Sequence, residues 1–458
     1  MKIPHNLYSP AYPAAWLLFG MTFAMAVAHF MAAPWARLAT VTFYAVALAW
    51  VSVLARQKRQ HVWPVTALDV LFVGFVLQVS ASLVFQGGFW EESGKFARYL
   101  PFMVGIPYLC GRLMRECDIE HFSRIVLYAG LGVLPLLLLD RAVSPDQGGS
   151  RWAFFGQSHG ALLVGALLAA ALIALCVRGA ASRNPDGSPR SRLFHYSLIG
   201  LVTGFLVWVS ARGWLMAAIA GLAVLVLSEY RHRGLRGTYL RYLVYVIAVV
   251  LLSLVVLPRA SNQFYAKLLT MPPQLVAPTG VAVPTHMAGR AWVAGAAQEA
   301  THIHAAGPIL GESSCRPFEE GENSVAMRWV LYREAVAMFM EHPYLGVGAT
   351  QFGERSCTGP GWYPHSTILQ GFAELGLVGG GLLVGLLALA SVTLVRPFLS
   401  VRPGAIWSAN SFVLALFAAF LVADQIYGNY FMSVGMWLIL GIAASMRANA
   451  TRGFDSHG

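Results

Sequence analysis

Charge is what this chain has least of. Asp, Glu, Lys and Arg together make up 12% of its 458 residues, against roughly a quarter in ordinary soluble domains. Hydrophobic residues reach 57% and the mean hydropathy is +0.60, too apolar for a water-soluble surface over this length. Soluble-enzyme and disordered-tail classes are therefore excluded. Five cysteines are too few for a small disulfide scaffold. No HExxH, CxxC or paired-Asp cluster has metal-ligand spacing. Walker A, Rossmann and GxSxG fingerprints are missing from any strand–turn–helix context, which argues against ATP-driven and hydride-transfer chemistry. Acidic residues are the scarcer charge, 21 against 32 basic, giving a net +11. Nucleic-acid binding would need that charge on a basic face of a soluble module, and the sequence holds no such module.

What is abundant is apolar sequence in span-sized lengths. A membrane helix needs about 20 mostly apolar residues, and about a dozen stretches qualify. They run approximately 14–33, 39–55, 67–86, 96–114, 123–140, 157–178, 196–211, 212–228, 242–258, 368–395, 407–425 and 428–446. The first reads as a span and not as a cleaved leader, since similar stretches follow and no small-residue cleavage site ends it. Residues 196–228 form one apolar run about twice too long for a single crossing, interrupted only at Ser210-Ala211-Arg212-Gly213. The expected fold is thus all-α and polytopic. Spans 1–9 occupy 1–258, an outward loop occupies 259–367, and spans 10–12 with a tail occupy 368–458.

Basic residues set the orientation. Alternate connections carry Arg56, Lys58 and Arg59; Arg112 and Arg115; Arg178 to Arg192; Arg231 to Arg241; Arg396 and Arg402; and Arg447 and Arg452. The positive-inside rule places these, and both termini, in the cytoplasm. Most of the net charge is then an orientation signal that also meets anionic membrane lipids.

The outward loop opens Pro-rich. It then shows a helix-compatible run over HMAGRAWVAGAAQEATHIH, a polar Gly/Ser/Glu patch from Gly307 to Asn323, and a second helix pattern, SVAMRWVLYREAVAMFMEH. That second helix is stopped by Pro343 and has Asn323 or Ser324 as its N-cap. Its apolar residues go most of the way round, so it is expected to lie against the bundle or the membrane. Cys315 and Cys357 flank it in a compartment that permits a disulfide. Cys110, Cys117 and Cys176 read as small apolar fillers. His286, His302, His304 and His342 share the loop with several glutamates without ligand spacing.

Cations at outward span ends run against the usual bias: Lys95, Arg98, Arg151 and Arg212. Arg212 stands at the tip of a hairpin too short to reach far into water. Its guanidinium suits either lipid headgroups or a phosphorylated ligand, which it can grip through two donors at once. Arg151 opens RWAFFGQSHGALL, where a glycine-containing helix start also favours anions. Pro364-His365-Ser366 stands where the loop enters the tenth span. The positive end of that helix disfavours imidazolium, so His365 either serves as a neutral base or caps the helix. Asp69, Asp140 and Asp424 sit near span ends, and no carboxylate pair at mid-depth marks a transport pathway.

His365-Ser366, nine residues, then Gly376-Leu-Val-Gly379 resembles the bacterial O-antigen ligase signature. Ser324-Val-Ala-Met-Arg328 and His342-Pro343-Tyr-Leu-Gly346-Val-Gly348 resemble the rest of the shared ligase/polymerase domain. Ser210-Ala-Arg212-Gly-Trp214 is similar to the family's periplasmic Ser-Arg-Gly element, and Arg151 to Gly160 resembles another element but lacks its Asn-Pro-Asn. The resemblance implies a multi-span GT-C glycosyltransferase in the bacterial inner membrane with its site facing the periplasm. It implies transfer of a glycan from undecaprenyl pyrophosphate to a hydroxyl of lipid A–core, with no metal, nucleotide or other cofactor. By motif, the functional set falls on Arg212, Arg328 and His365, with Arg316 and Arg333 competing for the loop arginine. Arg151, Arg98, Lys95 and Ser366 would support the pyrophosphate. A polymerase of the same superfamily, using a second lipid-linked glycan as acceptor, is the nearest alternative, followed by a protein O-oligosaccharyltransferase and a transporter.

Overall fold

A computed structural model describes residues 9–17, 46, 48–54, 64–85, 100–143, 158–181, 189–209, 212–233, 237–256, 324–356, 363–400, 407–431 and 433–455, some helix ends by backbone alone. Among them there is helix and no strand. In chain order the longer elements are α1 (Ala67–Phe85), α2 (Ile106–Leu113, entered through a π-turn at Leu100–Gly105), α3 (Glu116–Val143), α4 (Ser158–Ala181), α5 (Pro189–Trp208) and α6 (Arg212–Arg233). They continue as α7 (Thr238–Val256), α8 (Ser324–Glu341), the single turn α9 (Phe352–Arg355), α10 (Thr367–Ser400), α11 (Trp407–Asp424) and α12 (Val434–Asp455).

Six of these helices contain segments long and apolar enough to cross a membrane, in α1, α3, α4, α6, α7 and α10, and shorter apolar helices occur at Leu100–Leu113, Ala409–Asp424 and Val434–Ala448. The protein is a polytopic all-α membrane protein. The run 196–228 does divide in two: α5 ends at Trp208 and α6 begins at Arg212. The first two expected spans lie mostly outside the described residues, as do Lys95, Arg98, Arg151, Cys315, Arg316 and Cys357 and the first loop helix.

Helices from before and after the long loop 259–367 share one core. α6 packs along α11, α2 along α12, α3 along α4 and α1 along α10. Trp214 meets Phe420 edge-on at 5.2 Å, and Phe72 stacks on Tyr108 at 3.7 Å. α2 and α12 cross at two glycines: a Cβ on Gly111 would overlap the Leu438 carbonyl, and one on Gly441 the Tyr108 carbonyl. Small residues allow such close helix crossing where lipid supplies no hydrophobic drive. Cys110 and Cys176 are buried fillers, but Cys117 is exposed and fills nothing.

α8 carries a small core of its own. Met327, Leu331, Ala335 and Met338 pack with Val347, Phe352 and Ala373, a 3–4 residue spacing that marks one helical face. That face lies on α10, as expected for a helix laid against the bundle.

α10 is not the uninterrupted span expected over 368–395. At Gly376 the backbone turns to φ 65°, ψ −162°, a region essentially reserved for glycine. The break frees backbone groups that the loop 343–348 takes up. Val347 and Gly348 donate to the carbonyls of Ala373 and Glu374 at 2.9 Å each, while Leu377 and Val378 donate to Pro343 and Tyr344 at 2.7 and 3.3 Å. Gly346, at φ 73°, abuts Glu374 so closely that a Cβ would overlap its carbonyl, and a Cβ on Gly376 would overlap that of Tyr344. The motif glycines are thus two faces of one backbone-to-backbone joint, and the nine residues between Ser366 and Gly376 set the length of α10 before it.

Candidate functional site

The joint leaves a carboxylate where sequence reading expected none. Glu374, in the turn before the break, is 1% exposed. It accepts the amides of Thr350 and Phe352 at 2.9 and 3.4 Å, the Gln370 side-chain amide at 3.2 Å and the Tyr430 hydroxyl at 2.5 Å. Thr350 stands at φ 62°, a strained setting for a β-branched residue that must be held by its surroundings. A serine on α1, Ser82, takes the Ala349 amide at 2.9 Å. The loop between α8 and α10 is therefore pinned from three sides. Glu374 is occupied by this clamp, which accounts for a buried carboxylate in an interrupted span without an ion pathway.

At the start of α10 the same precision appears. Ser366 caps the helix, accepting the Leu369 amide at 3.3 Å while donating to Gln425 Oε1 at 2.7 Å. Its first bond is the ordinary N-cap interaction; the second joins α10 to the turn after α11. Thr367 donates to the Asp424 carbonyl of that turn at 3.2 Å, and Tyr332 of α8 to the Gln425 carbonyl at 3.2 Å. Immediately before the cap, His365 adopts φ 53°. Such a conformation costs on the order of 1–3 kcal/mol and clusters at functional positions. Its imidazole is half-buried and lies against Tyr363, ring centroids 4.5 Å apart and tilted by 53°.

Tyr427, in the turn after α11, connects the remaining parts. Its hydroxyl oxygen accepts the Gly213 amide at 2.9 Å, tying it to the residue after Arg212 at the start of α6. The Arg328 guanidinium lies 5.7 Å from its ring centroid, within cation–π range. Its carbonyl accepts a long 3.4 Å bond from the Tyr363 hydroxyl. Arg328 is also close enough to act on Tyr363: burial pushes that hydroxyl above the usual phenol range, and the arginine's charge pulls the other way.

Of the expected set, Arg328 lies against Tyr427 directly, Arg212 is tied to it through the amide of the next residue and His365 through Tyr363, while Ser366 bonds Gln425 in the same turn. The Arg212 side chain lies outside the described residues. Arg333 is exposed, and five residues along α8 place it about 140° round the helix from Arg328. Tyr363, Glu374, Gln425 and Tyr427 escaped the sequence reading. Only Glu374 carried a signal, as a carboxylate inside an apolar run two residues before a glycine.

Residues 197–384 match the family model described as O-antigen ligase. No curated protein matches the chain. The matched segment contains Arg212, Arg328, His365, Gly346 and Gly376, while Tyr427 lies beyond it. Over residues 197–384, somewhat less than half of its length, the chain is similar to the O-antigen ligase family.

Proposed function

We propose that this protein transfers a glycan from undecaprenyl pyrophosphate to a hydroxyl of lipid A–core at the periplasmic face of the bacterial inner membrane, with both of its termini cytoplasmic. The family implies a lipid-linked glycan donor and a lipid A–core acceptor in general. The observation that carries the finer reading is the convergence of the α6 start, Arg328 and the Tyr363–His365 pair around Tyr427.

In the reaction, the acceptor oxygen attacks the anomeric carbon. The bond from that carbon to the phosphate oxygen breaks, and its electron pair leaves with the pyrophosphate. Charge grows on the leaving group, where guanidinium donors fixed in a partly dry site stabilise it more than water could. Arg212 and Arg328 are assigned this role, with Arg151, Arg98 and Lys95 as supporting charges. His365 accepts the acceptor's hydroxyl proton, a contribution typically of 10²–10⁴-fold. No metal or nucleotide enters this scheme.

Helix lengths support the location. α10 has 34 residues, about 51 Å at 1.5 Å per residue, well beyond the roughly 30 Å of hydrocarbon. The part after the break, about 33 Å over 377–398, fits a crossing by itself. On this reading His365, ahead of the break, lies on the outer side of the bilayer, toward a lipid's pyrophosphate.

Complementation tests the reading. A ligase-deficient strain expressing this chain should regain long-chain lipopolysaccharide on a gel, and His365→Ala should lose it while still inserting. Restoration in a polymerase-deficient strain instead would replace the ligase with the polymerase.

A further inference from the structure

Tyr427 belongs to neither the family-matched segment nor the motif set, yet Gly213, Arg328 and Tyr363 all contact it. Its surroundings are built to fit. Gly213 has no side chain where a Cβ would overlap the Tyr427 ring, so the hydroxyl can reach the Gly213 amide. Gly428, the next residue, is equally constrained: a Cβ there would overlap the Asp424 carbonyl and the Thr367 hydroxyl. Gln425 fixes the same turn from α8 through Tyr332 and from α10 through Ser366. The ring thus projects from a turn held on two sides. It offers three distinct attachments: hydroxyl to α6, ring face to Arg328, and backbone carbonyl to Tyr363 beside His365.

We propose that Tyr427 is the positioning residue of the pyrophosphate site, holding the Arg212-bearing start of α6 through its hydroxyl and the Arg328 guanidinium against its ring face, so that the two keep a fixed separation. The inference rests on the pyrophosphate reading above. Planar donors recognise a pyrophosphate only when their spacing matches its oxygens. Two arginines from elements more than a hundred residues apart in sequence have no local means of keeping that spacing. The tyrosine supplies it through two separable contacts. Phenylalanine would keep the ring face for Arg328 and lose the hydroxyl that holds α6; alanine would lose both.

The test uses the full chain in nanodiscs, with undecaprenyl pyrophosphate binding measured first and glycan transfer second. Tyr427→Phe is expected to weaken undecaprenyl pyrophosphate binding and raise the donor KM by about 3–10-fold with kcat within about twofold. Tyr427→Ala should lower kcat/KM further, to about the level of Arg328→Ala. Combining Tyr427→Ala with Arg328→Ala should then be no worse than Arg328→Ala alone, because residues acting as one unit are not additive. Gly213→Ala, which pushes the ring aside without altering it, should reproduce Tyr427→Ala. Should Tyr427→Ala fail to fold, Tyr427→Phe and Gly213→Ala decide. Wild-type binding by all variants, or a double variant whose loss is the product of the single losses, overturns the proposal. Binding without any transfer by the wild type would refute the ligase reading and leave the binding comparison to decide on Tyr427, whereas no binding by the wild type would overturn both.

Discussion

Replacing Gly376 with alanine should release the loop that is bonded across the break in α10. The glycine holds φ 65°, ψ −162°, and forcing an alanine there costs on the order of 1–3 kcal/mol. The new methyl would also overlap the Tyr344 carbonyl carbon and oxygen. Those are backbone atoms that cannot swing away as a side-chain tip could. Relief requires the two backbones to part, and four hydrogen bonds join them there. Losing about two of these, at roughly 0.5–1.5 kcal/mol each, brings the expected cost to about 2–6 kcal/mol. Hydrogen exchange followed by mass spectrometry reads this directly at the Val347 and Gly348 amides, which donate across the joint. Their exchange should accelerate about 30-fold or more, since each 1.4 kcal/mol is a factor of ten. Gly381, five residues on and with nothing within 4 Å of a built Cβ, is the control: alanine there should be neutral or slightly stabilising. Exchange in Gly376→Ala within about threefold of wild type would refute the reasoning.

Other substitutions probe other links. Glu374→Ala should leave the Thr350 and Phe352 amides and the Tyr430 hydroxyl without their acceptor. At about 1–3 kcal/mol per stranded buried group, the lowered unfolding midpoint in a denaturant titration should exceed that of any exposed α10 residue changed to alanine. Arg328→Lys keeps the charge but loses the flat guanidinium above the Tyr427 ring. Transfer should fall by at least about tenfold with melting unchanged, because a lysine is a point charge without the planar fork. An unaltered rate would remove Arg328 from the pyrophosphate site. His365→Ala should reduce transfer by about 10²–10⁴-fold while donor binding persists. Loss of donor binding in that variant would assign the histidine to the donor and not to the acceptor proton.

Much of the scaffold was legible because apolar length and punctuation are local signals. The run 67–86 became Ala67–Phe85, the loop helix ended at Glu341 just before Pro343, and the interruption at Ser210 to Gly213 separated α5 from α6. Arg328 and His365 were singled out by short motifs. The break at Gly376 was hidden because residues on both sides are apolar and helical. Its cause is a second glycine thirty positions earlier, and no periodicity couples the two. Tyr427 was hidden for the same reason: its hydroxyl partner is 214 residues away, so in sequence it is only an aromatic in a short turn. Glu374 was passed over because one carboxylate in an apolar run has no pattern, and its four donors come from three separate segments.

The central claim is that the residues gathered around Tyr427 transfer a glycan from a polyprenyl pyrophosphate without a metal. Purified chain in nanodiscs, given undecaprenyl-pyrophosphate-linked glycan and lipid A–core in the presence of a chelator, tests it in one reaction. Wild type should yield glycan-bearing lipid A–core and released undecaprenyl pyrophosphate, and Arg212→Ala, Arg328→Ala and His365→Ala should each yield both at a rate lower by about 10²-fold or more. Product from any of those variants at the wild-type rate, or wild-type transfer that stops when divalent metal is removed, would contradict it.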